Sequence, residues 1–578
     1  MGVQHSSWFG SSDAPLLAHI HVPDDGRSRG AVVLCPPLGK EHLDTYRGIK
    51  ALAEDLADRG LTSVRFDYAG VGDSSGDQDS PDAVQAWRRS VVGAVDLART
   101  TGSDHITVVG LRAGALLAAT ALPECGPVDA VVLWDPILSG RGALREQRAL
   151  YRVTQGADDP SDPRVSIIGG VLAPEAAADL GALKIEAGAL AGARTLLATR
   201  SAARDTPAVS ALADAIGGDE LALSGHDAFV TPSALYAEIP FTSVREIADW
   251  ISGGAPADAH QVVTTLRRRA VVATTTDGSP VYESVESLGP NSLFALRTQA
   301  AETVGNDGRQ PTVLFFGTAY EHRIGPSRLW VELARTLASH GISSVRFDRS
   351  GVGDTGAVGH GQPASLYSEV SDRDALDAAE ALGVDPDDIV VTGLCSGAWY
   401  ASYVALASRA RAVVLVNMIL WSTHRRKSLR EQLRPPVPAA PGGGDAGAEP
   451  APLSLRARIK PFAREHLPYR VWLLLGRLGV TQVPEVILEA LRRAGVDVTV
   501  VLSAQDHRSF RYQRGEEGLR RVQRRGFTGR VRTGATGDHG AYQRDGREFL
   551  RTEITAAVLS RFGRTAAARE SVADADVS

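Results

Sequence analysis

Gly110-Leu111-Arg112-Ala113-Gly114 and Gly393-Leu394-Cys395-Ser396-Gly397 each follow an apolar run and each open a stretch with helical periodicity. A G-x-x-x-G run in that setting specifies a strand, a sharp turn and a helix. The small flanking residues let strand and helix approach closely, and the middle side chain is lifted above the sheet edge. The two copies differ at that middle residue. A cysteine there can attack a carbonyl carbon; an arginine, which stays protonated, cannot.

Outward from the two turns, the rest of the chain repeats as well. Ser63-Val64-Arg65-Phe66-Asp67 recurs 281 residues later as Ser344-Val345-Arg346-Phe347-Asp348, and Gly70-Val71-Gly72-Asp73 recurs as Gly351-Val352-Gly353-Asp354. The two turns match at a spacing of 283, and Leu144-Arg145-Glu146-Gln147 matches Leu429-Arg430-Glu431-Gln432 at 285. A repeat this long is a duplicated domain rather than a solenoid array. Within each copy, apolar runs alternate with amphipathic helices. In the first copy these are strands at 31–35, 62–66 and 106–109, with helices around 52–56 and 84–98. Such βαβ series predict a mainly parallel sheet with helices on both faces and functional loops at the C-terminal strand ends. Segments 16–22, 270–274 and 292–298 read as antiparallel edge strands. The breaker-rich stretch 253–261, after a helix ending near Ile251, is the expected linker between domains 1–252 and 262–564. The Pro/Gly/Ala-rich run 435–452 reads as a disordered lid loop and 565–578 as a disordered tail.

At 578 residues, with 43% apolar and 22% charged residues, the chain suits two globular domains. No apolar run approaches the roughly 20 residues that cross a bilayer, so no membrane span is expected. Met1-Gly2-Val3-Gln4-His5 lacks the basic-then-apolar layout of a secretory signal, and the expected location is cytoplasmic. Cys35, Cys125 and Cys395 are too few and too scattered for a disulfide framework or a metal site. The net charge of −6 argues against a nucleic-acid binder. Neither metal nor cofactor is expected.

Both halves resemble the α/β-hydrolase superfamily over nearly all the chain outside the linker, the Pro/Gly loop and the tail. The implied fold class is α/β: two tandem α/β-hydrolase domains, each with a lid insertion. More narrowly, Gly317-Thr318-Ala319-Tyr320-Glu321-His322-Arg323-Ile324-Gly325-Pro326, together with the Cys395 turn, resembles hydrolase-like proteins of bacterial polysaccharide and specialised-metabolite gene clusters. Cys35-Pro36-Pro37 with the Arg112 turn resembles exosortase-associated hydrolase-like proteins. The superfamily orders its triad as nucleophile, acid after a late strand, then histidine. On that resemblance, Cys395 is the nucleophile, Asp506 the acid and His539 the base. His539 would take the thiol proton, and Asp506 would orient the ring. The oxyanion donors would be the amide of Ser396 and one from Ala319 or Thr318. A free cysteine can equally be a small buried hydrophobe. His507, next to the acid, reads as a solvated loop histidine.

Tyr320 and His322, beside the oxyanion loop, and Arg112 are candidate substrate contacts; loop anchoring competes for His322. The first half keeps Gly225-His226-Asp227 and an acid at Asp205, yet has no nucleophile. It reads as a scaffold, as a wall of the other domain's mouth, or as an anion site at Arg112; Asp135 could instead pair with that arginine. Residues 425–477 hold Arg425, Arg426, Lys427, Arg430, Arg434, Arg456, Arg458, Lys460, Arg464, Arg470 and Arg477 against few acids. This run is either a solvated face or an attractor for an anionic acyl donor such as coenzyme A or an acyl carrier protein. A small molecule or water would be the acceptor. The Cys395 turn resembles that of dienelactone hydrolases, so hydrolysis and acyl transfer both stay open, as does a non-catalytic scaffold.

Overall fold

The computed structural model describes residues 2–156, 159–200, 206–230, 237–300, 310–359, 366–423 and 466–562. The predicted lid loop, the tail, Asp205 and the basic residues from Arg425 to Arg464 lie outside this set. Arg470 and Arg477 are exposed on the helix Tyr469–Arg477.

Two α/β sheets account for the architecture. The first runs, in spatial order, Val3–Phe9, Leu16–Val22, Thr62–Phe66, Ala31–Cys35, Ile106–Leu111, Ala130–Trp134, Arg194–Arg200 and Asp219–Leu223. The second runs Arg269–Thr274, Pro280–Leu288, Leu293–Ala300, Ser343–Phe347, Thr312–Phe316, Ile389–Leu394, Ala412–Val416, Asp497–Leu502 and Arg530–Thr533. Pairing is antiparallel up to Thr62–Phe66 and Ser343–Phe347 and parallel beyond. The parallel strands are Val/Ile/Leu runs because helices cover both faces. The long helix Lys40–Asp58 and the closing helix Phe241–Gly254 share one face of the first sheet. Leu329–Ser339 and Arg544–Arg561 do the same on the second.

The antiparallel ends differ from the sequence expectation. Leu16–Val22 is not the edge: Val3–Phe9 lies outside it, and Pro280–Leu288 intervenes between the two strands read in the second half. Both escaped notice because they mix polar with apolar residues, yet Trp8 at 2% exposure packs with Leu17 against Val272, Val281 and Leu296. Within the stretch expected as a linker, helix Phe241–Gly254 runs past Ile251 and His260–Gln261 pairs with Arg27–Ser28.

The halves meet through charges contributed by the duplicated motif. Arg65 Nη2 lies 2.5 Å from Asp354 Oδ1, and its counterpart 281 residues on, Arg346, pairs with Asp73, the counterpart of Asp354. Arg47 donates to the carbonyls of Gly353, Gly356 and Ala357; its counterpart Arg328 donates to those of Gly72, Ser74 and Gly76. Contacts in which i meets j and j′ meets i′ are the signature of an isologous interface. Arg323 closes the network at 2.6–2.9 Å from Asp348, Asp354 and Asp73. Burial opposes ionisation of Asp354, but His19, Arg65 and Arg323 outweigh it and hold the carboxyl well below its usual range.

Removing one partner of such a pair strands the other without water. Asp354→Asn, and separately its mirror Asp73→Asn, should therefore cost about 3–5 kcal/mol, seen as a lower denaturant midpoint. A loss within about 0.5 kcal/mol, the scatter of surface substitutions, would show that the seam does not depend on this exchange.

Candidate active site

Cys395 sits at φ 56°, ψ −111°, and Arg112 at φ 54°, ψ −118°. An L-residue is rarely held there, so both copies keep the same strained turn despite different side chains. The glycines are obligatory: a Cβ on Gly393 would lie 2.4 Å from the Gly397 backbone, and one on Gly397 would lie 2.5 Å from the Phe316 carbonyl. Cys395 is thereby presented, partly exposed, at the start of helix Ser396–Leu406.

The structure brings the predicted partners to it. Asp506 lies in the first turn of helix Ala504–Tyr512, where Ser503 caps the helix and donates to Asp506 Oδ2 at 2.8 Å. The other oxygen, Oδ1, is 2.8 Å from His539 Nδ1. Burial disfavours the imidazolium, but the charge of Cys395 and hydrogen bonds to Asp506 and Cys395 hold His539 well above its usual range. His507 is apart from this group, 3.6 Å from Glu516.

The loop expected to meet an oxyanion makes a contact of its own. The Ala319 N–H donates to Ser396 Oγ at 2.8 Å, so Ser396 is buried and turned onto the loop. An oxyanion would compete with that hydroxyl for the Ala319 amide. The Ser396 amide heads its helix, where N–H groups have no helical partner. Thr318 and Tyr320 line the cavity above Cys395. His322 also lines it but is buried and stacked on Tyr46 at 4.0 Å, and burial, then Arg323, lowers it to about 3.

Arg112 does not line this cavity. It lies in the first half, 3.2 Å from Glu41 and 3.5 Å from Asp135. Asp135 also binds Arg200 and lies 3.9 Å from His226, whose ring nitrogens have no hydrogen-bond partner among the described residues.

Two positions beside the site carried no assignment in the sequence. Asn417, at φ 45° after strand Ala412–Val416, accepts from the Ser503 amide at 2.8 Å and donates to the His539 carbonyl at 3.0 Å, tying acid and histidine segments together. Its counterpart after the first-half strand is Asp135, also at positive φ, and that correspondence was the available signal. The second is Glu321, which lines the cavity. Its Oε1 accepts from Tyr542 Oη, and Oε2 is inaccessible and without a partner. Burial pushes its carboxyl up to about 7, against the opposing effect of Tyr542 and Lys40. The cavity, of about 250 Å³, is walled on the opposite side by Lys40, Leu43, Asp44 and Arg47 of the first half.

Residues 315–552 match the alpha/beta hydrolase family. No curated protein matches the chain significantly. Among solved structures, Est1E of Butyrivibrio proteoclasticus, determined with ferulic acid bound, is 16% identical over 43% of this chain and 98% of its own, with a TM-score of 0.34. An esterase of Pyrobaculum calidifontis is 19% identical over 43% and 83%, with a TM-score of 0.30. A predicted CIB-like hydrolase of Thermoplasma acidophilum is 14% identical over 44% and 100%, with a TM-score of 0.29. Among the described residues, no helix is long and apolar enough to cross a membrane, and no group of His, Cys, Asp and Glu side chains could hold a metal.

Glu321 predicts a pH dependence. Its folded carboxyl titrates near 7 and its unfolded one near 4.5, so between those values the native state holds a proton the unfolded chain has released. Stability should fall as pH rises through that window, by no more than about 3 kcal/mol, and Glu321→Gln should flatten the slope. Superimposable denaturation curves of wild type and variant across the window would show Glu321 to be an ordinary ionised carboxylate.

Proposed function

We propose that the second half is a cysteine-dependent acyl-transfer enzyme acting on an ester or thioester. The observation that carries this reading is the 2.8 Å Asp506–His539 contact with the imidazole facing Cys395 on its strained turn. His539 takes the thiol proton as sulfur attacks the substrate carbonyl. The oxyanion is met by the Ser396 amide and by the loop at Thr318 and Ala319, once Ser396 Oγ yields its hydrogen bond. Collapse expels the alcohol or thiol, which leaves with the proton from His539. An acceptor then gives its own proton to His539 and attacks the S-acyl carbon, restoring the thiol.

A thioester intermediate is captured by amines and thiols more readily, relative to water, than an oxygen ester is. That supports transfer in a biosynthetic setting, from a donor such as coenzyme A or an acyl carrier protein, with hydrolysis as the alternative fate. The first half, lacking a nucleophile, serves as one wall of the cavity.

Incubation with a panel of activated acyl esters and thioesters should add one acyl group to the intact mass. The adduct should be absent in Cys395→Ala, and His539→Ala should slow acylation about 10²–10⁴-fold. An unmodified wild type across the panel would favour a scaffold instead. Arg112→Ala strands Glu41 and leaves Asp135 to Arg200, so it should lower stability by about 3–5 kcal/mol and leave the acylation rate of folded protein unchanged. Selective loss of that rate would give Arg112 a part in the chemistry.

A further inference from the structure

A groove of about 550 Å³ runs between the halves, away from Cys395, and six arginines line it. Three are committed. Arg164 pairs with Asp79 at 3.0 Å and Asp162 at 2.8 Å. Arg328 is bound to first-half carbonyls, and Arg335 is 3.2 Å from Glu283. The other three, Arg544, Arg547 and Arg551, occupy one face of the helix Arg544–Arg561 within its first eight residues.

Their condition is unusual. Arg547 is only 8% exposed, yet its guanidinium makes no hydrogen bond or ion pair among the described residues. Burial lowers its pKa, with Glu332 and Glu548 offsetting this only in part. Arg544, 4% exposed, reaches Asp162 at 3.3 Å through Nη2, while Nη1 is buried without a partner. Arg551 is exposed and unpaired among the described residues. Buried charge is ordinarily paired, and cations near a helix N-terminus work against the helix dipole. Helix stability therefore does not account for this face. An anion would: guanidinium forks match phosphate oxygens two at a time, and the N-terminal turns of the helix add favourable potential.

We propose that Arg544, Arg547 and Arg551 form a binding site for a phosphate group in this groove. The ligand is either a free phosphate or diphosphate or the phosphate-bearing end of a larger molecule. The site stands whether or not Cys395 carries an acyl group.

Calorimetric titration of the full-length protein with inorganic phosphate, pyrophosphate and coenzyme A, against sodium chloride at matched ionic strength, tests this. At least one of the three should bind saturably, and tighter binding of coenzyme A than of pyrophosphate would identify the larger source. Arg547→Met should weaken the interaction about ten- to hundredfold. Because it removes an uncompensated buried cation, it should melt no lower than wild type in phosphate-free buffer. Arg551→Ser, at an exposed position that cannot unfold the chain, should weaken binding as well. The proposal is overturned if none of the three anions binds beyond the chloride control, or if both variants bind as wild type does.

Discussion

The reciprocal exchange of arginines and aspartates across the seam is the constraint on which the rest depends. Arg65 reaches Asp354, and Arg346 reaches Asp73. Buried ion pairs are a weak source of net stability because desolvation offsets most of their attraction. Their value is in register: a small slide between the halves would strand several charges at once, so one docking is far below its neighbours. Apolar contact alone, as of Trp8 and Leu17 on Val272 and Leu296, tolerates such a slide. The charges therefore specify the arrangement that the apolar surface merely favours.

Within that frame, the two copies differ at two corresponding positions. In the first half the residue on the strained turn is Arg112, and Glu41 and Asp135 neutralise it. In the second half the turn carries Cys395, the counterpart of Asp135 is the uncharged Asn417, and Glu321, the counterpart of Glu41, makes no ion pair among the described residues. Burial outweighs the opposing effect of Tyr542 and Lys40 and raises the carboxyl to about 7. The exchanges at these two positions thus accompany a paired cluster in one copy and a raised buried acid beside the cavity in the other.

Much of this was legible in the sequence because it is local or repeated. The turn at Cys395, the βαβ order and the duplication are patterns of spacing, and Asp506 and His539 were expected from the triad order that the α/β-hydrolase resemblance implies. What escaped depends on contacts between distant residues. Val3–Phe9 alternates too weakly to read as a strand until Trp8 meets the second sheet. Ser396 occupies the Ala319 amide only because the loop closes over the helix start. The repeated Arg65 and Arg346 were visible as a match, but nothing in spacing says that each reaches into the other copy.

The seam also ties the first half to the cavity at Cys395. Lys40, Leu43, Asp44 and Arg47 are spaced three and four residues apart on helix Lys40–Asp58, and such residues share one face. The far end of that face is fixed, since Arg47 and Lys50 hold the carbonyls of Gly353, Asp354, Gly356 and Ala357. The near end is the wall facing Cys395 and His539. A helix is stiff over this span, so clamping Arg47 places Lys40 and Asp44 as well. The contacts that lock the two halves are therefore the contacts that shape the cavity, and removing the first half would remove one side of the site along with its register.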